Sequence, residues 1–415
     1  MSGSTFAVTT TNPLGVCFVS YRRARNEEVG ALVRSLHEHG VPTWQDVDDL
    51  DEQPLEATLR AVLADPNTAS GVLWVTPEVA HSSIITGVEV PGLTGRATAD
   101  PVFALVPVAA GGLDYAGAAA AARSTTTLVD LTTWNINKVT GDPATVEDVA
   151  AVALRVLRRR VQAVHGHLPA GDPFVIDIYT RTPVTRRSDA ALTVDLTHLF
   201  EGRTAKPGAW DTVTTSLRTL LANVAKRAPG RRVHVRGLVG LPTALSLGAV
   251  ASAPSGLDVS WVQRTPGRDD ALYTLMAEPV LSSFTVDLVD SNAGAVDLAV
   301  LVSVSENVVP AFQVTPGLGP FRGIVTGTPP GRLPHTFDSP GQAVDLAHDV
   351  VRAIREARSR YGTVGVVHLF IAGPAGLAFL VGQLLNTLGP VVTYEHMTAT
   401  GTGMYAPAAT LKPSS

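Results

Sequence analysis

RVHVRGLVGLPTALSLGAV, residues 232–250, and VVHLFIAGPAGLAFLVGQL, residues 366–384, align without a gap. His234 pairs with His368 and Gly248 with Gly382, each 134 positions apart, and the match extends over residues 232–264 against 366–398. Each copy reads as a β-rich strand, a turn of small residues, a helical stretch and a further strand. Self-similarity at a fixed offset means one supersecondary unit used twice, so the second half is expected to be a pseudo-dimer of α/β units. Two such units set two equivalent strand-end crevices around one shared pocket, a geometry suited to a quasi-symmetric ligand.

The chain has 415 residues, too long for one ordinary domain of roughly 150. The repeat favours three. Its hydrophobic fraction, 45%, lies in short runs, and none approaches the ~18 apolar residues of a membrane span. The first residues, MSGSTFAVTTTNPLG, lack a basic region followed by an apolar core, so a cytoplasmic protein is expected. A single cysteine, Cys17, excludes an internal disulfide and a cysteine zinc cluster; inside a strand it reads as a small buried hydrophobe. His165 and His167 have no further ligand-type neighbours, and no metal site is assigned. His234 and His368, on apolar strands, read as core histidines.

Net charge is −5, which argues against duplex nucleic acid as a partner. The distribution is uneven. Residues 1–170 carry 12 Lys/Arg against 18 Asp/Glu, residues 171–265 carry 12 against 7, and residues 266–415 carry 8 against 12. The basic middle is either a solvated face or an electrostatic site for a phosphate-bearing ligand.

From residue 12 to 165 apolar strands alternate with amphipathic helices, the pattern of a mostly parallel α/β sheet. Strands are expected at 16–21, 41–44, 71–76, 101–108 and 127–131, with a helix carrying Val29, Leu32, Val33 and Leu36 and a final helix over 145–164. The loop at 166–173 is read as a linker between a domain over 12–165 and a second over 174–415, whose units span about 174–264 and 295–411. The opening strands of those units are expected at 174–179 and 298–304, and the Pro/Gly-rich stretch 314–340 reads as a loop followed by a helix over 338–360.

The segment CFVSYRRARNEEVGALVRSLHEHGVPTWQDVDDL, residues 17–50, resembles the start of a TIR domain through Ser20-Tyr21-Arg22, the helix stopped by Gly40, and the loop from Trp44 to Leu50. That resemblance implies a flavodoxin-like parallel sheet whose enzymatic members cleave NAD+ at the nicotinamide glycosidic bond. Their single glutamate follows the third strand, and SSIITGVE, residues 82–89, puts Glu89 in its position, with Ile85 where many relatives have tryptophan. A carboxylate there stabilises the oxocarbenium-like ribose left by departing nicotinamide. Ser20, Tyr21, Arg22, Trp44, Asp46, Asp48, Leu50 and Ser83 are the NAD+-binding candidates: Arg22 for the pyrophosphate, Tyr21 or Trp44 for stacking on a base. NAD+ is substrate, and no cofactor is implied.

The segment HLFIAGPAGLAFLVGQLLNTLGPVVTYEH, residues 368–396, resembles the signature of SAVED domains, two fused CARF-like Rossmann-type units that sense cyclic oligonucleotides in bacterial antiphage systems. The resemblance implies a cyclic tri- or tetra-adenylate bound by Thr180, Arg181, Arg203, Lys206, Arg236, Ser303, Ser305, Gly373, Pro374 and Leu377. In that reading the turns Leu238 to Gly240 and Gly373 to Gly376 let backbone N–H groups approach phosphate at helix N-termini. Together the halves resemble a TIR–SAVED effector, a NAD+ hydrolase switched on when ligand drives head-to-tail filament assembly. A non-enzymatic TIR scaffold and a TIR cyclase making cyclic ADP-ribose stay open beside it.

Overall fold

In the computed structural model, residues 10–44, 55–123, 131–252, 256–265, 267–281, 284–331, 333–334, 336–398 and 403–412 are described. The first sheet is built from β1 (Val16–Ser20), β2 (Thr43–Trp44), β3 (Thr68–Val75), β4 (Ala104–Ala109) and β5 (Asn137–Lys138). Its order is β2-β1-β3-β4-β5 and every pairing is parallel, the doubly wound order of flavodoxin-like sheets. All eight residues of β3 are buried, as a parallel strand covered on both faces requires. Around the sheet run α1 (Asn26–Glu38), α2 (Leu55–Ala64), α3 (Val90–Ala99), α4 (Tyr115–Ala121) and α5 (Val146–His167). Val29, Leu32, Val33 and Leu36 form the buried face of α1, and Gly40 follows it at a φ of 75°.

Two sequence expectations are corrected here. The strand expected at 127–131 falls mostly outside the described residues, and the described fifth strand is the polar pair Asn137–Lys138, which has no apolar run to reveal it. Helix α5, capped where Thr145 accepts from Asp148 N–H, continues through Gly166 and His167 into the stretch read as linker and stops before Leu168-Pro169.

Arg160 on α5 is buried, and its guanidinium donates to the carbonyls of Leu14 and Gly15, ahead of β1, and of Ala191. Burial and the neighbouring Arg186 lower its pKa to about 9. Three carbonyls share this one cation, and that of Leu14 also accepts from Arg186.

The remaining strands are β6 (Phe174–Tyr179), β7 (Leu192–Asp195), β8 (Phe200–Glu201), β9 (Thr204–Ala205), β10 (Val233–Leu238), β11 (Val259–Gln263), β12 (Ala271–Tyr273), β13 (Thr285–Asp290), β14 (Asp297–Ser303), β15 (Phe321–Thr328), β16 (Val367–Ala372), β17 (Val391–Met397) and β18 (Met404–Leu411). The helices are α6 (Ala209–Arg227), α7 (Leu241–Val250), α8 (Val309–Val314), α9 (Pro340–Tyr361) and α10 (Ala375–Leu384). The chain divides into two compact units, residues 1–177, 186–194 and 226–229, and residues 178–185, 195–225 and 230–415, the division falling within β6 and β7.

The repeat is visible in the strand order. One sheet runs β12-β11-β10-β6-β7 and the other β13-β15-β14-β16-β17-β18. From the opening strand outward, β6-β10-β11-β12 recurs as β14-β16-β17-β18, with the last pair antiparallel in both. Val233 pairs with Val259 and Val367 with Val391, so the second strands correspond at an offset of 132, not 134. The gapless sequence match thus slips by two residues after the helices, and a slip of two leaves every side chain on its own face. The stretch 314–340 is not one long loop: β15 lies inside it, between β13 and β14, where an alternating buried pattern hides between glycines and prolines.

Helices α7 and α10 meet backbone to backbone. A Cβ on Gly248 would lie 2.9 Å from Gly382 Cα and inside the Phe379 carbonyl oxygen; a Cβ on Gly382 would lie 3.0 Å from Gly248 Cα and inside the Leu245 carbonyl. Only glycine fits at either place. Gly382→Ala is expected to destabilise the protein by about 2 kcal/mol, although alanine favours a helix interior. Gly95→Ala in α3, where a Cβ meets nothing within 4 Å, should stabilise by roughly 0.5–1 kcal/mol. Calorimetric melting of both variants checks the contrast, and a Gly382→Ala protein as stable as the parent would refute the close crossing.

Candidate functional site

At the carboxyl edge of the first sheet, Ser20 ends β1 and its hydroxyl donates to a carboxylate oxygen of Glu89. Glu89 is 6% exposed and closes a π-helical turn, Ile85–Glu89, that leads into α3. The wide turn has a local cause. Pro91 has no N–H to give and its ring would clash with the carbonyl one regular turn back, so Val90 N–H reaches to Ile85 O instead. Sequence spacing treated Ser20 and Glu89 as separate candidates; the fold joins them.

The other candidates are dispersed. Tyr21 is buried and Arg22 half-buried, with no hydrogen bond or ion pair from the Arg22 side chain to another described residue. Trp44 lies flat against Phe18, ring centroids 5.1 Å apart, so one indole face is already covered. Ser83 is exposed at the start of the helical segment. Asp46, Asp48 and Leu50 lie outside the described residues.

In the second unit, a cavity of about 280 Å³ opens between the ends of the two repeats, lined by Gly240 and Pro242 from one and Gly373 and Glu395 from the other. The turns that form it are twins. Thr180 and Arg181 N–H both donate to Leu238 O, as Val304 and Ser305 N–H both donate to Ala372 O. Arg181 and Ser305 are therefore equivalent positions, and both line the cavity. Arg203 lines it too.

Arg181 is held by Glu395 Oε1 at 2.6 Å and by the Gly202 carbonyl, while Arg203 lies 3.6 Å from the same carboxylate and donates to His396 O. Glu395 is 5% exposed, and burial pushes its carboxyl up from the ordinary range against the opposing pull of the two arginines. Its Oε2 is buried, with no hydrogen-bond partner among the described residues. Tyr394 stacks on Phe370 at 4.1 Å and bonds His368, and Tyr405 closes the far wall. His234 and His368 are half-buried, and burial lowers both.

Several expected contacts sit elsewhere. Lys206 is exposed and outside the lining, as is Arg236, which is half-buried on β10. Ser303 accepts from Val308 N–H and Thr180 accepts from Gly240 N–H at 3.0 Å, so both hydroxyls brace turns. Pro374 caps α10 outside the lining, and Leu377 is a core residue with no exposure. The helix N-termini are largely committed: Thr243 N–H donates to Gly240 O, Leu377 N–H to Pro374 O, and Gly376 N–H to Gln263 Oε1 at 3.0 Å. Gly376 is small because Tyr273 packs on it; a Cβ would lie 2.5 Å from the ring. Glu395 escaped sequence reading, though it is the sole acidic residue after Glu356 and interrupts an apolar strand.

Residues 217–411 match the family model described as "SMODS-associated and fused to various effectors sensor domain", abbreviated SAVED. These residues form a SAVED domain. The CD-NTase-associated protein 4 of Enterobacter hormaechei subsp. hoffmannii (strain UCI 50) is 26% identical over 212 residues, covering 49% of this chain and 40% of that protein. The chain thus spans less than half the length of the curated relative it matches. Among solved structures, the Acinetobacter baumannii Cap4 SAVED/CARF-domain containing receptor with the cyclic trinucleotide 2'3'3'-cAAA aligns over 93% of this chain and 98% of its own, at 12% identity and TM-score 0.49. The Moraxella osloensis Cap4 receptor aligns over 94% and 100%, at 13% identity and TM-score 0.40.

Within the second compact unit the Arg181–Glu395 pair ties the two repeats together. Arg181→Met leaves the buried carboxylate with Arg203 alone, an expected loss of roughly 3 kcal/mol at neutral pH. Burial raises the folded-state carboxyl above its unfolded value, so protonation favours the folded form: the deficit is absent below the unfolded value and grows as pH rises through the folded one. Unfolding midpoints of parent and variant across pH 4–8 check this, and a pH-independent deficit would contradict it.

Proposed function

We propose that the chain is an antiphage effector in which a cyclic oligoadenylate, bound by the SAVED domain, switches on NAD+ hydrolysis by the N-terminal flavodoxin-like domain. One observation carries the sensor half of the reading. Both repeats of a sensor domain contribute to a single cavity that holds two arginines, and arginine forks suit phosphodiester oxygens. The ligand class is also the one named for the Acinetobacter receptor.

The enzymatic half is supported by the Ser20–Glu89 pair at the strand ends, where open α/β sheets bind ligands. In this reading Glu89 faces the nicotinamide ribose. The Ser20 hydroxyl fixes the carboxylate's orientation, and as the glycosidic bond breaks the fixed charge stabilises the oxocarbenium-like ring. Water then takes the anomeric carbon, releasing nicotinamide and ADP-ribose. Assembly of protomers head to tail couples the two halves, so hydrolysis is off without ligand and rises steeply with protein concentration.

The test is incubation of the cytoplasmic-type protein with NAD+ and a panel of cyclic di-, tri- and tetra-adenylates, following nicotinamide. Release is expected only with the activating ring, and Glu89→Gln should lower it at least about a hundredfold with ligand binding intact. Ligand binding without nicotinamide release would favour the scaffold, cyclic ADP-ribose as product would favour the cyclase, and full turnover by Glu89→Gln would remove that residue from the chemistry.

A further inference from the structure

The two repeats handle one side-chain acceptor differently. By strand register, Gln263 at the end of β11 and Glu395 in β17 occupy equivalent positions. Gln263 reaches across to the second helix, where its Oε1 accepts from Gly376 N–H at 3.0 Å. Glu395 reaches across to the first helix, toward Gly240, and a Cβ there would lie 2.6 Å from Oε2. The position equivalent to Gly376 is Pro242, which has no N–H. Gly240 N–H is already given to Thr180 Oγ1. Among the described residues, Glu395 Oε2 is thus a buried carboxyl oxygen with no hydrogen-bond donor, on the wall of the cavity.

The nearby groups do not fill that need. The ion pairs of Arg181 and Arg203 are made to Oε1, and the Tyr394 hydroxyl is bonded to His368. A phosphate would be repelled at Oε2. A group that brings a proton would be held there, since an unsatisfied buried charge is costly and its satisfaction correspondingly favourable.

Resting on the cyclic-oligonucleotide reading above, we propose that Glu395 is the specificity-determining acceptor of the SAVED cavity, its Oε2 taking an N–H or O–H from the bound nucleotide. The donor is either the exocyclic amine of an adenine or a ribose 2'-hydroxyl, and the phosphates lie toward Arg203. Pro242 leaves the acceptor open, and the twin position in the other repeat, closed by Gly376 N–H, reads nothing.

Calorimetric titration of the full chain with cyclic triadenylate, its purine-riboside analogue lacking the base amine, and its 2'-deoxy analogue tests this. The parent protein should lose about tenfold or more in affinity for the analogue lacking the donor that Oε2 accepts, and the analogue affected identifies the group. Glu395→Gln, whose amide oxygen stays with Arg181 and whose amine replaces Oε2, should bind the three ligands within about twofold of one another, the loss falling on the complete ligand. Equal binding of all three by the parent overturns the assignment while leaving the sensor reading standing, as does unchanged discrimination in Glu395→Gln. Binding of no ring by the parent overturns both. The parent's analogue series stands by itself if the variant fails to fold.

Discussion

The second half of this protein depends on the contact of Gly248 with Gly382. Two helices approach to backbone distance because neither carries a Cβ at the crossing. That closeness fixes where each helix begins, and the turns ahead of the helices, at Gly240 and Gly373, form opposite walls of one cavity. Side chains of ordinary size at the crossing would spread the helices to the 8–10 Å of common packing, and two separate strand-end crevices would replace the single cavity. The repeat therefore makes one cavity through its smallest residues.

A comparable economy operates in the first half. Pro91 obliges the helix to widen by one residue, and the widened turn sets Glu89 against the Ser20 hydroxyl at the end of β1. A regular helix through the same residues would rotate Glu89 by about 100°. The proline, two residues from the carboxylate, thus has an effect on the site without touching it.

What was legible in the sequence follows from what has a period. The first parallel sheet, its helices and the doubling of the second half all announce themselves through apolar spacing, glycine stops and self-similarity. Strands without such a pattern stayed hidden: β5 has two polar residues, and β15 is broken by Gly323 and Gly327. The site was legible unevenly. Glu89 was singled out by the TIR resemblance, and its bond to the Ser20 hydroxyl is visible only in the fold. Arg181 and Ser305 sit at strand ends, but their equivalence emerges only from the shared carbonyls of Leu238 and Ala372. The helix N-terminal N–H groups, readable as phosphate donors, are mostly taken by Thr180, Gln263 and turns of the backbone itself. Glu395 could not be ranked from sequence because its weight lies in burial and in a partner that is missing.

The same partner explains why a symmetric scaffold need not make a symmetric site. Sequence repetition led to the expectation of two equivalent α/β units, and the backbone shows them: strand order, turn bonds and helix crossing are doubled. The chemistry is not doubled. Arg181 stands where the other repeat has Ser305, Gln263 is satisfied where Glu395 Oε2 is not, and Pro242 stands where Gly376 donates an N–H. The repeat supplies the cavity by geometry, and three pairs of equivalent residues differ in charge and hydrogen bonding across it. The cavity therefore sets unlike groups at like positions: its walls are related by the repeat, while its charge and hydrogen-bonding groups are not.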